Sequence, residues 1–339
     1  MAKDFGLGID LGGTKILAGV VDLDSGAVVS AAKKRTRAEQ GPQELLDRLG
    51  NVAEEALAGA KLPKGASVHT VGVAAAGQVD PKRGVLVAAP NLGGDLDLPI
   101  GPALGKRLAL PVALGNDVQT AALGELRFGA GRGVDSVLCV FVGTGIGGAL
   151  IRHGELDRGT TATAGEIGHT IIHAGGRYCG CGGRGHLEAY ASRTAITRML
   201  VAELERGRAS ILTRLLKDDG FDEEAPAGTA IRSGMLAKAV EERDELVLEA
   251  IHEAGRYLGL ALASAVNFYN PRRIVLGGGV VEAVPLLVDI VRPIVRCEAL
   301  PVPGAAVDIV ATKLGDDAGV IGAAILGADG PDGKGRKKR

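Results

Sequence analysis

Several residue types and patterns are scarce or absent in this chain of 339 residues, and each absence excludes a class of protein. There is no Trp, and aromatic residues make up only 3% of the chain, so a surface that stacks nucleic-acid bases is not expected. The net charge of −1 gives no overall attraction to nucleic acid or to a membrane surface. No apolar run is long enough to span a membrane. The first strand-like run begins at Phe5, which leaves no room for a signal peptide. We therefore predict a cytoplasmic protein with no nucleic-acid or membrane partner.

Cysteine and histidine are also scarce, with four and six residues respectively, and their distribution is uneven. Cys139 and Cys297 stand alone in apolar surroundings, which predicts buried thiols rather than a disulfide bridge and favours a reducing compartment. The other two cysteines, three of the histidines and two glutamates lie within residues 165–192 among many glycines. So dense a group of potential ligands predicts a metal site.

The spacing of these residues favours a structural zinc ion. Cys179 and Cys181 are one residue apart, so a disulfide between them is difficult to close, whereas both thiolates can bind one ion. His169 and His186 flank them and would complete a tetrahedral site, with His173 as the alternative to His186. Four protein ligands leave no position for a reactive water, so the ion would hold the loop in shape rather than catalyse.

Two strand-like runs joined by a glycine-rich turn occur twice in the chain. The first pair lies at residues 5–10 and 16–23, and the second begins at residues 137–142 and continues after residue 148. The second turn matches the dinucleotide-binding pattern Gly-x-Gly-x-x-Gly, but that pattern must open a helix and here a strand-like run follows. The backbone amides of such glycine-rich turns can approach phosphates closely. A glycine-rich turn that only connects two strands and binds no ligand is an equally good explanation of the pattern. The repetition favours an actin-like, doubled α/β fold.

Three further features predict ligand contacts. Asp10 ends the first strand and could hold Mg²⁺ directly or through water. Asn116 and Asp117 follow a short strand at the edge where ligands collect in α/β folds, although Asp117 could instead cap the helix that follows. Three consecutive glycines, Gly277, Gly278 and Gly279, follow the strand-like run at residues 273–276. They could lie against a flat ligand or form a simple turn.

The motifs resemble those of the ROK family of sugar kinases and repressors. Gly-Glu-Ile-Gly-His at residues 165–169 and Cys-Gly-Cys-Gly-Gly-Arg-Gly-His-Leu-Glu at residues 179–188 are similar to its zinc-binding signature, with His186 where a third cysteine is usual. Asp-Leu-Gly-Gly-Thr-Lys at residues 10–15 looks like the family's first phosphate loop. Asn116 and Asp117 before Ala-Ala-Leu-Gly-Glu match the segment that carries its catalytic base. The resemblance covers residues 5–327.

The resemblance implies a two-lobed actin-like ATPase fold of the ribonuclease H-like type, with a zinc-binding loop in the second lobe. The expected N-terminal lobe comprises residues 1–117 and 318–328, and the C-terminal lobe comprises residues 118–317. Residues 329–339 would form a disordered basic tail. The implied activity is an ATP-dependent hexokinase, with glucose phosphorylated on its 6-hydroxyl, and the implied assembly is a homo-oligomer, either a dimer or a tetramer.

The resemblance also implies roles for individual residues. Asp117 would be the catalytic base. The hexose would be bound by Asn91, Asn116, Asp117, Glu166, His169 and Glu188. ATP and Mg²⁺ would be bound by Asp10, Gly12, Gly13, Thr14, Lys15, Gly143, Thr144, Gly145, Gly277, Gly278 and Gly279. The structural Zn²⁺ would be bound by His169, Cys179, Cys181 and His186.

Several alternatives remain open at this stage. The sugar could be N-acetylmannosamine, N-acetylglucosamine or fructose, and the donor could be polyphosphate instead of ATP. A sugar-responsive repressor would need an added N-terminal helix-turn-helix module, for which the early first strand leaves no room. A non-catalytic sugar-binding protein would need neither Asp117 nor the two phosphate loops.

Overall fold

The computed structural model describes residues 4–89, 92, 94–218 and 231–330, which form an α/β protein. Its strands are β1 (Phe5–Leu11), β2 (Lys15–Asp22), β3 (Val28–Arg35), β4 (Val68–Ala75), β5 (Gln78–Asp80), β6 (Val85–Ala89), β7 (Gly94–Leu98), β8 (Val112–Asn116), β9 (Val137–Val142), β10 (Ile146–Arg152), β11 (Glu155–Asp157), β12 (Arg273–Gly277) and β13 (Asp308–Ala311). Its helices are α1 (Pro42–Gly59), α2 (Ile100–Leu108), α3 (Asp117–Phe128), α4 (Glu188–Ala191), α5 (Arg193–Glu205), α6 (Leu212–Asp218), α7 (Ser233–Glu241), α8 (Glu245–Tyr269), α9 (Gly279–Ala283), α10 (Leu286–Glu298), α11 (Pro301–Ala306) and α12 (Ala318–Asp329). Within these described ranges, no helix combines the length and the apolar character that crossing a membrane requires.

The chain divides into two compact units. The first comprises Met1–Asp135, Ala149–Ala164 and Lys313–Arg339, and the second comprises Ser136–Gly148 and Gly165–Thr312. In this division α3, which packs against α12, belongs to the first unit. The lobe boundary expected at residue 117 stays a prediction. Residues 331–339 of the expected basic tail lie outside the described residues.

The sheet of the first unit has the strand order β3-β2-β1-β4-β8. Strand β1 pairs antiparallel with β2 and parallel with β4, which in turn pairs parallel with β8. The register aligns Leu11 with Ala75, and Ala75 with Asn116. The carboxyl ends of three strands therefore meet at one edge, where the first glycine turn and the start of α3 also lie.

Helix α12 packs directly on the backbone of this sheet. A side chain at Gly8 would collide with the carbonyl of Val320, and one at Gly72 would collide with the carbonyl of Ala323. Only glycine permits so close an approach of helix to strand. Helix α12 therefore belongs to the same unit as β1 and β4.

The second five-stranded sheet repeats the order of the first, as β11-β10-β9-β12-β13. Strand β12 pairs parallel with β9 on one side and with β13 on the other, and β10 pairs antiparallel with β11. A smaller antiparallel sheet, β5-β6-β7, is added within the first unit. The doubled fold that the two hairpins predicted is thus confirmed.

Three local predictions need correction. The sequence pattern of residues 187–205 predicts one helix, but the extended backbone of Ser192 (φ −73°, ψ 160°) separates α4 from α5. The sequence pattern of residues 280–291 likewise predicts one helix, but the structure has two, α9 and α10, since Val284 leaves the helical conformation (φ −129°, ψ 77°) and Pro285 follows. Cys139 is a buried thiol as predicted, but Cys297 is exposed on α10.

Candidate functional site

The first glycine turn, residues 12–14, is held by its neighbour in the sheet. Gly12 donates its N–H to the carbonyl of Lys15 at 3.0 Å, which closes the turn between β1 and β2. Thr36, at the end of β3 and fully buried, donates its hydroxyl to the carbonyl of Gly12 at 2.7 Å and its N–H to that of Thr14 at 3.0 Å. Nothing around Thr36 in the sequence resembles a motif, so only the fold reveals its role.

Charged side chains gather beside this turn. The Nζ of Lys15 lies 3.2 Å from a carboxylate oxygen of Asp316, which precedes α12. Burial raises the pKa of Asp10 to about 6, against the attraction of Lys15 and with help from the negative charge of Asp316. A mostly buried carboxylate beside a second one is a donor set that suits a hard cation such as Mg²⁺.

Asp117 opens α3 at the carboxyl end of β8, but it does not cap that helix. Asn116 is the N-cap, and its Oδ1 accepts from the amides of Val118 at 3.0 Å and Gln119 at 3.2 Å. The Nδ2 of Asn116 donates to the carbonyl of Gly77 at 3.1 Å and to Oδ1 of Asp117 at 3.0 Å. The capping role considered for Asp117 therefore belongs to Asn116, whose amide orients the Asp117 carboxylate.

A buried carboxylate that sequence reasoning did not single out stabilises the same unit. Glu125 on α3 is fully buried and accepts hydrogen bonds from the amides of Ala130, Lys313 and Leu314 at 2.6–3.2 Å. These bonds satisfy the buried charge and hold the chain just before Asp316. The sequence shows only a glutamate within the helix that follows Asp117, and its burial becomes apparent from the packing of α3 in the structure.

The second glycine turn, residues 143–145, is held by a distant part of the chain. Gly143 donates its N–H to the carbonyl of Gly145 at 2.9 Å. Glu188, at the start of α4, accepts from the amide of Ile146 at 2.9 Å. Arg193 and Thr194, at the start of α5, donate to the carbonyls of Gly143 and Thr144 respectively. This support requires the break at Ser192, which the sequence analysis missed.

The four predicted zinc ligands come together in the 165–192 segment. His169, Cys179, Cys181 and His186 each offer a ligand atom, and these atoms all lie within 4.8 Å of one another. Nδ1 of His169 is 3.8 Å from Sγ of Cys179, and Nδ1 of His186 is 3.3 Å from Sγ of Cys181. Tetrahedral zinc with ordinary bond lengths places its ligands about 3.3–3.8 Å apart, so the group fits the ion after small adjustments.

His173 is not a member of this group. Its ring stacks on Tyr190 with 6.0 Å between ring centroids and an interplanar angle of 5°. Tyr190 in turn accepts a hydrogen bond from the amide of Arg177 at 2.7 Å. The sequence left open whether His173 or His186 is the fourth member of the Cys/His group, and in the structure it is His186.

Two glutamates lie beside the Cys/His group. Sγ of Cys179 is 3.4 Å from Oε1 of Glu188, so Glu188 contacts both the ligand group and the second glycine turn. Loss of hydration raises the pKa of Glu166, with the charge of Glu188 adding to the effect and His169 opposing it. Burial raises the pKa of the Cys179 thiol to about 12, so a bound metal would have to displace its proton.

The third glycine group, Gly277, Gly278 and Gly279, follows β12. A side chain at Gly277 would collide with Thr312, and one at Gly278 would lie 2.6–2.8 Å from the backbone of Val142. Gly278 also has a positive φ of 87°. Close packing therefore accounts for two of the three glycines, and their expected contact with a nucleotide stays a prediction. Asn91 lies outside the described residues.

Comparison with known proteins agrees with these motifs. The model of the ROK family matches residues 6–329. A glucokinase of Streptomyces coelicolor is 34% identical over 96% of this chain and 98% of its own length. A crystal structure of a ROK family glucokinase from Streptomyces griseus, in complex with glucose and AMPPNP, has a TM-score of 0.79 and 32% identity, covering 96% of this chain and 100% of that one.

Regulators are similar to this chain as well. A putative xylose repressor from a Caldicellulosiruptor species is 30% identical over 94% of this chain and 77% of its own length. The likeness to both kinases and repressors extends over nearly the whole chain. Together with the match to the family model, it shows that the chain belongs to the ROK family.

Proposed function

We propose that this protein is an ATP-dependent sugar kinase and that it phosphorylates the 6-hydroxyl of glucose. The observation that carries the proposal is the Asp117 carboxylate, oriented by Asn116 at the carboxyl end of β8. A sugar hydroxyl is a poor nucleophile at neutral pH, and a positioned carboxylate can accept its proton as the bond to phosphorus forms. The full-length similarity to glucokinases supports glucose as the acceptor.

The remaining residues have distinct roles in this proposal. Glu166, His169 and Glu188 bind sugar hydroxyls, whereas Asn116 acts mainly on Asp117, since both ends of its amide are already engaged. The two glycine turns bind the phosphates of ATP, and Asp10 binds Mg²⁺, which would neutralise charge on those phosphates. His169, Cys179, Cys181 and His186 bind a structural Zn²⁺ that holds the 165–192 segment.

The first test is a coupled assay of the purified protein against glucose, fructose, N-acetylglucosamine and N-acetylmannosamine, with ATP or polyphosphate as donor. We expect the highest kcat/KM with glucose and ATP. Sugar binding without phosphoryl transfer from either donor would instead support a non-catalytic, sugar-responsive protein, as the similarity to repressors allows. A preference for another sugar would change the substrate but leave the kinase assignment intact.

The second test is Asp117→Asn, which keeps the shape of the side chain but removes the base. We expect kcat to fall by at least ~10²-fold, the low end for losing acid–base help. Sugar binding measured by calorimetry without ATP should change much less, and so should the Tm, because Asn116 caps the helix. Asp135→Asn, at an exposed position, is the control. A normal kcat for Asp117→Asn would exclude Asp117 as the base.

A further inference from the structure

Arg193 is attached to the second glycine turn by both its backbone and its side chain. Its amide donates to the carbonyl of Gly143 at 2.9 Å, and Nη2 donates to Oγ1 of Thr144 at 2.7 Å. Arg193 is also the first residue of α5, whose N-cap Ser192 is buried and accepts from the amide of Ala195 at 3.1 Å. The guanidinium position is therefore fixed relative to the turn.

Most of the hydrogen-bonding capacity of this guanidinium is unused. An arginine side chain has five N–H donors, but the buried Nε of Arg193 has no hydrogen-bond partner. Within the described part of the chain, no carboxylate lies within 4.0 Å of the Arg193 guanidinium. Arg177, Arg206 and Arg208 in the same unit, by contrast, all pair with glutamates. Leaving a buried cationic donor unpaired is costly unless another molecule satisfies it.

The surroundings of Arg193 suit an anion. The backbone at Gly143 faces open space, where even an added side-chain atom would meet nothing within 4 Å. The amino end of α5 lies against the same turn and carries a partial positive charge, while its first three amides donate to Gly143, Thr144 and Ser192. A planar guanidinium recognises phosphate oxygens through paired hydrogen bonds.

We propose that Arg193 binds a phosphoryl group of the donor at the second glycine turn. The inference rests on the proposed function, because that function supplies a donor with a chain of phosphates. The chemistry it requires is a polyphosphate chain, which either a nucleoside triphosphate or inorganic polyphosphate provides. Arg193 would thus add a charged contact to a turn that otherwise offers only backbone amides and the hydroxyl of Thr144.

The test measures donor binding by calorimetry without sugar, using the Mg²⁺ complex of AMPPNP, adenosine, and inorganic polyphosphate as separate probes. For Arg193→Ala we expect the Kd of AMPPNP to rise about 10- to 100-fold, because charge-assisted hydrogen bonds to phosphate are lost. Adenosine binding should not change. Arg193→Lys keeps the positive charge but loses the planar guanidinium with its paired N–H donors. Its Kd for AMPPNP should therefore lie between those of Arg193→Ala and the wild type.

Arg198→Ala is the matched control, since Arg198 lies on the same helix but is exposed. We expect it to bind AMPPNP as the wild type does. An equal loss in this variant, or a loss of adenosine binding in Arg193→Ala, would overturn the proposal. Weaker binding of polyphosphate but not of AMPPNP to Arg193→Ala would identify polyphosphate as the donor that Arg193 recognises.

A double-mutant cycle separates phosphate binding from a purely structural effect on Thr144. If Arg193 only orients the Thr144 hydroxyl, Arg193→Ala should have no further effect in a Thr144→Val background. If it binds phosphate itself, most of its effect on the Kd should remain. Since AMPPNP binding is measured without sugar or turnover, failure of the sugar-kinase proposal in the hexose assay would leave this result interpretable.

Discussion

The two hairpins that carry the glycine turns have the same place in their sheets but different supports. Strands β1 and β2 occupy the positions in the first sheet that β9 and β10 occupy in the second. The first turn is anchored by Thr36, which ends the adjacent strand β3 and lies 24 residues from its partner Gly12. The second is anchored by Glu188, Arg193 and Thr194, which lie 42–50 residues away along the chain.

This difference has a physical consequence. The first turn depends on the sheet itself, whose core residues are almost fully buried and whose five strands are paired in an unbroken series from β3 to β8. The second depends on the short segment from Glu188 to Thr194, which includes α4 and the start of α5. Its first residue, Glu188, lies beside Cys179. We therefore expect the second turn, but not the first, to respond to the state of the Cys/His group.

The largest effect that would test this difference is loss of the metal. Cys181→Ala removes an exposed ligand, so the core should be little disturbed apart from the ion. A structural zinc site contributes on the order of 10 kcal/mol or more to folding, and its loss should loosen the 165–192 segment. We expect zinc content to fall well below one ion per chain and activity to fall at least ~10²-fold. Amide hydrogen exchange should quicken at residues 143–146 but not at residues 12–15.

Cys297→Ala is the control for this experiment, because Cys297 is exposed and lies on α10, away from the ligand group. It should retain zinc, activity and both exchange patterns. Equal loss of protection at both turns in Cys181→Ala would contradict the difference in support. Full zinc content in that variant would remove Cys181 from the ligand set.

A smaller effect concerns Asp10, a mostly buried carboxylate that precedes the first turn and has no counterpart before the second, where Phe141 and Val142 stand. The pKa of Asp10 is raised from 3.8 to about 6, so the folded protein holds this proton more tightly than the unfolded chain does. The free energy of unfolding should therefore fall as pH rises from about 4 to about 6, by up to ~3 kcal/mol for this group. Above about pH 6 the contribution of Asp10 to the free energy of unfolding should no longer change with pH.

Asp10→Asn isolates this contribution. Urea unfolding of both proteins between pH 4.5 and 7.5 should show the wild type losing stability relative to the variant across the window. Binding of Mg²⁺–AMPPNP to the wild type should weaken as pH falls below 6, because protonated Asp10 is a poor ligand for Mg²⁺. Parallel stability curves for the two proteins would show that Asp10 ionises at its ordinary pKa.

Much of this arrangement could be predicted from the sequence, because local patterns encode it. Strong apolar runs ending in glycines identified both hairpins, and the spacing of Cys179, Cys181 and His186 identified the ligand group. These signals are short-range, and each follows from the chemistry of a few neighbouring residues. The repetition of one unit predicted the doubled fold, which the matching strand orders of the two five-stranded sheets confirm.

The supports of the turns could not be predicted, because they join residues far apart in sequence. Thr36 and Arg193 are ordinary residues until the fold places them on a glycine carbonyl and a threonine hydroxyl. The break at Ser192 was missed because the residues on both sides form helices readily, although serine is a common N-cap and its hydroxyl caps α5 at Ala195. The N-cap of α3 is Asn116 and not Asp117, because the helix begins at Asp117 itself, one residue earlier than it would if Asp117 were the cap. Sequence patterns do not define helix ends to within one residue.

The smallest effect compares two threonines that hold the two turns. Thr36→Val removes a fully buried hydroxyl that donates to Gly12, whereas Thr194→Val removes a less buried one that donates to Thr144 at the same distance of 2.7 Å. A lost buried hydrogen bond leaves the carbonyl without a partner and costs about 1 kcal/mol or more, while water can replace an exposed donor. We expect Thr36→Val to lower the free energy of unfolding by about 1 kcal/mol and to raise the KM for ATP several-fold. Thr194→Val should change either quantity by less than half as much, and neither variant should alter zinc content. The reverse order would mean that the second turn, despite its distant support, is the more firmly held of the two.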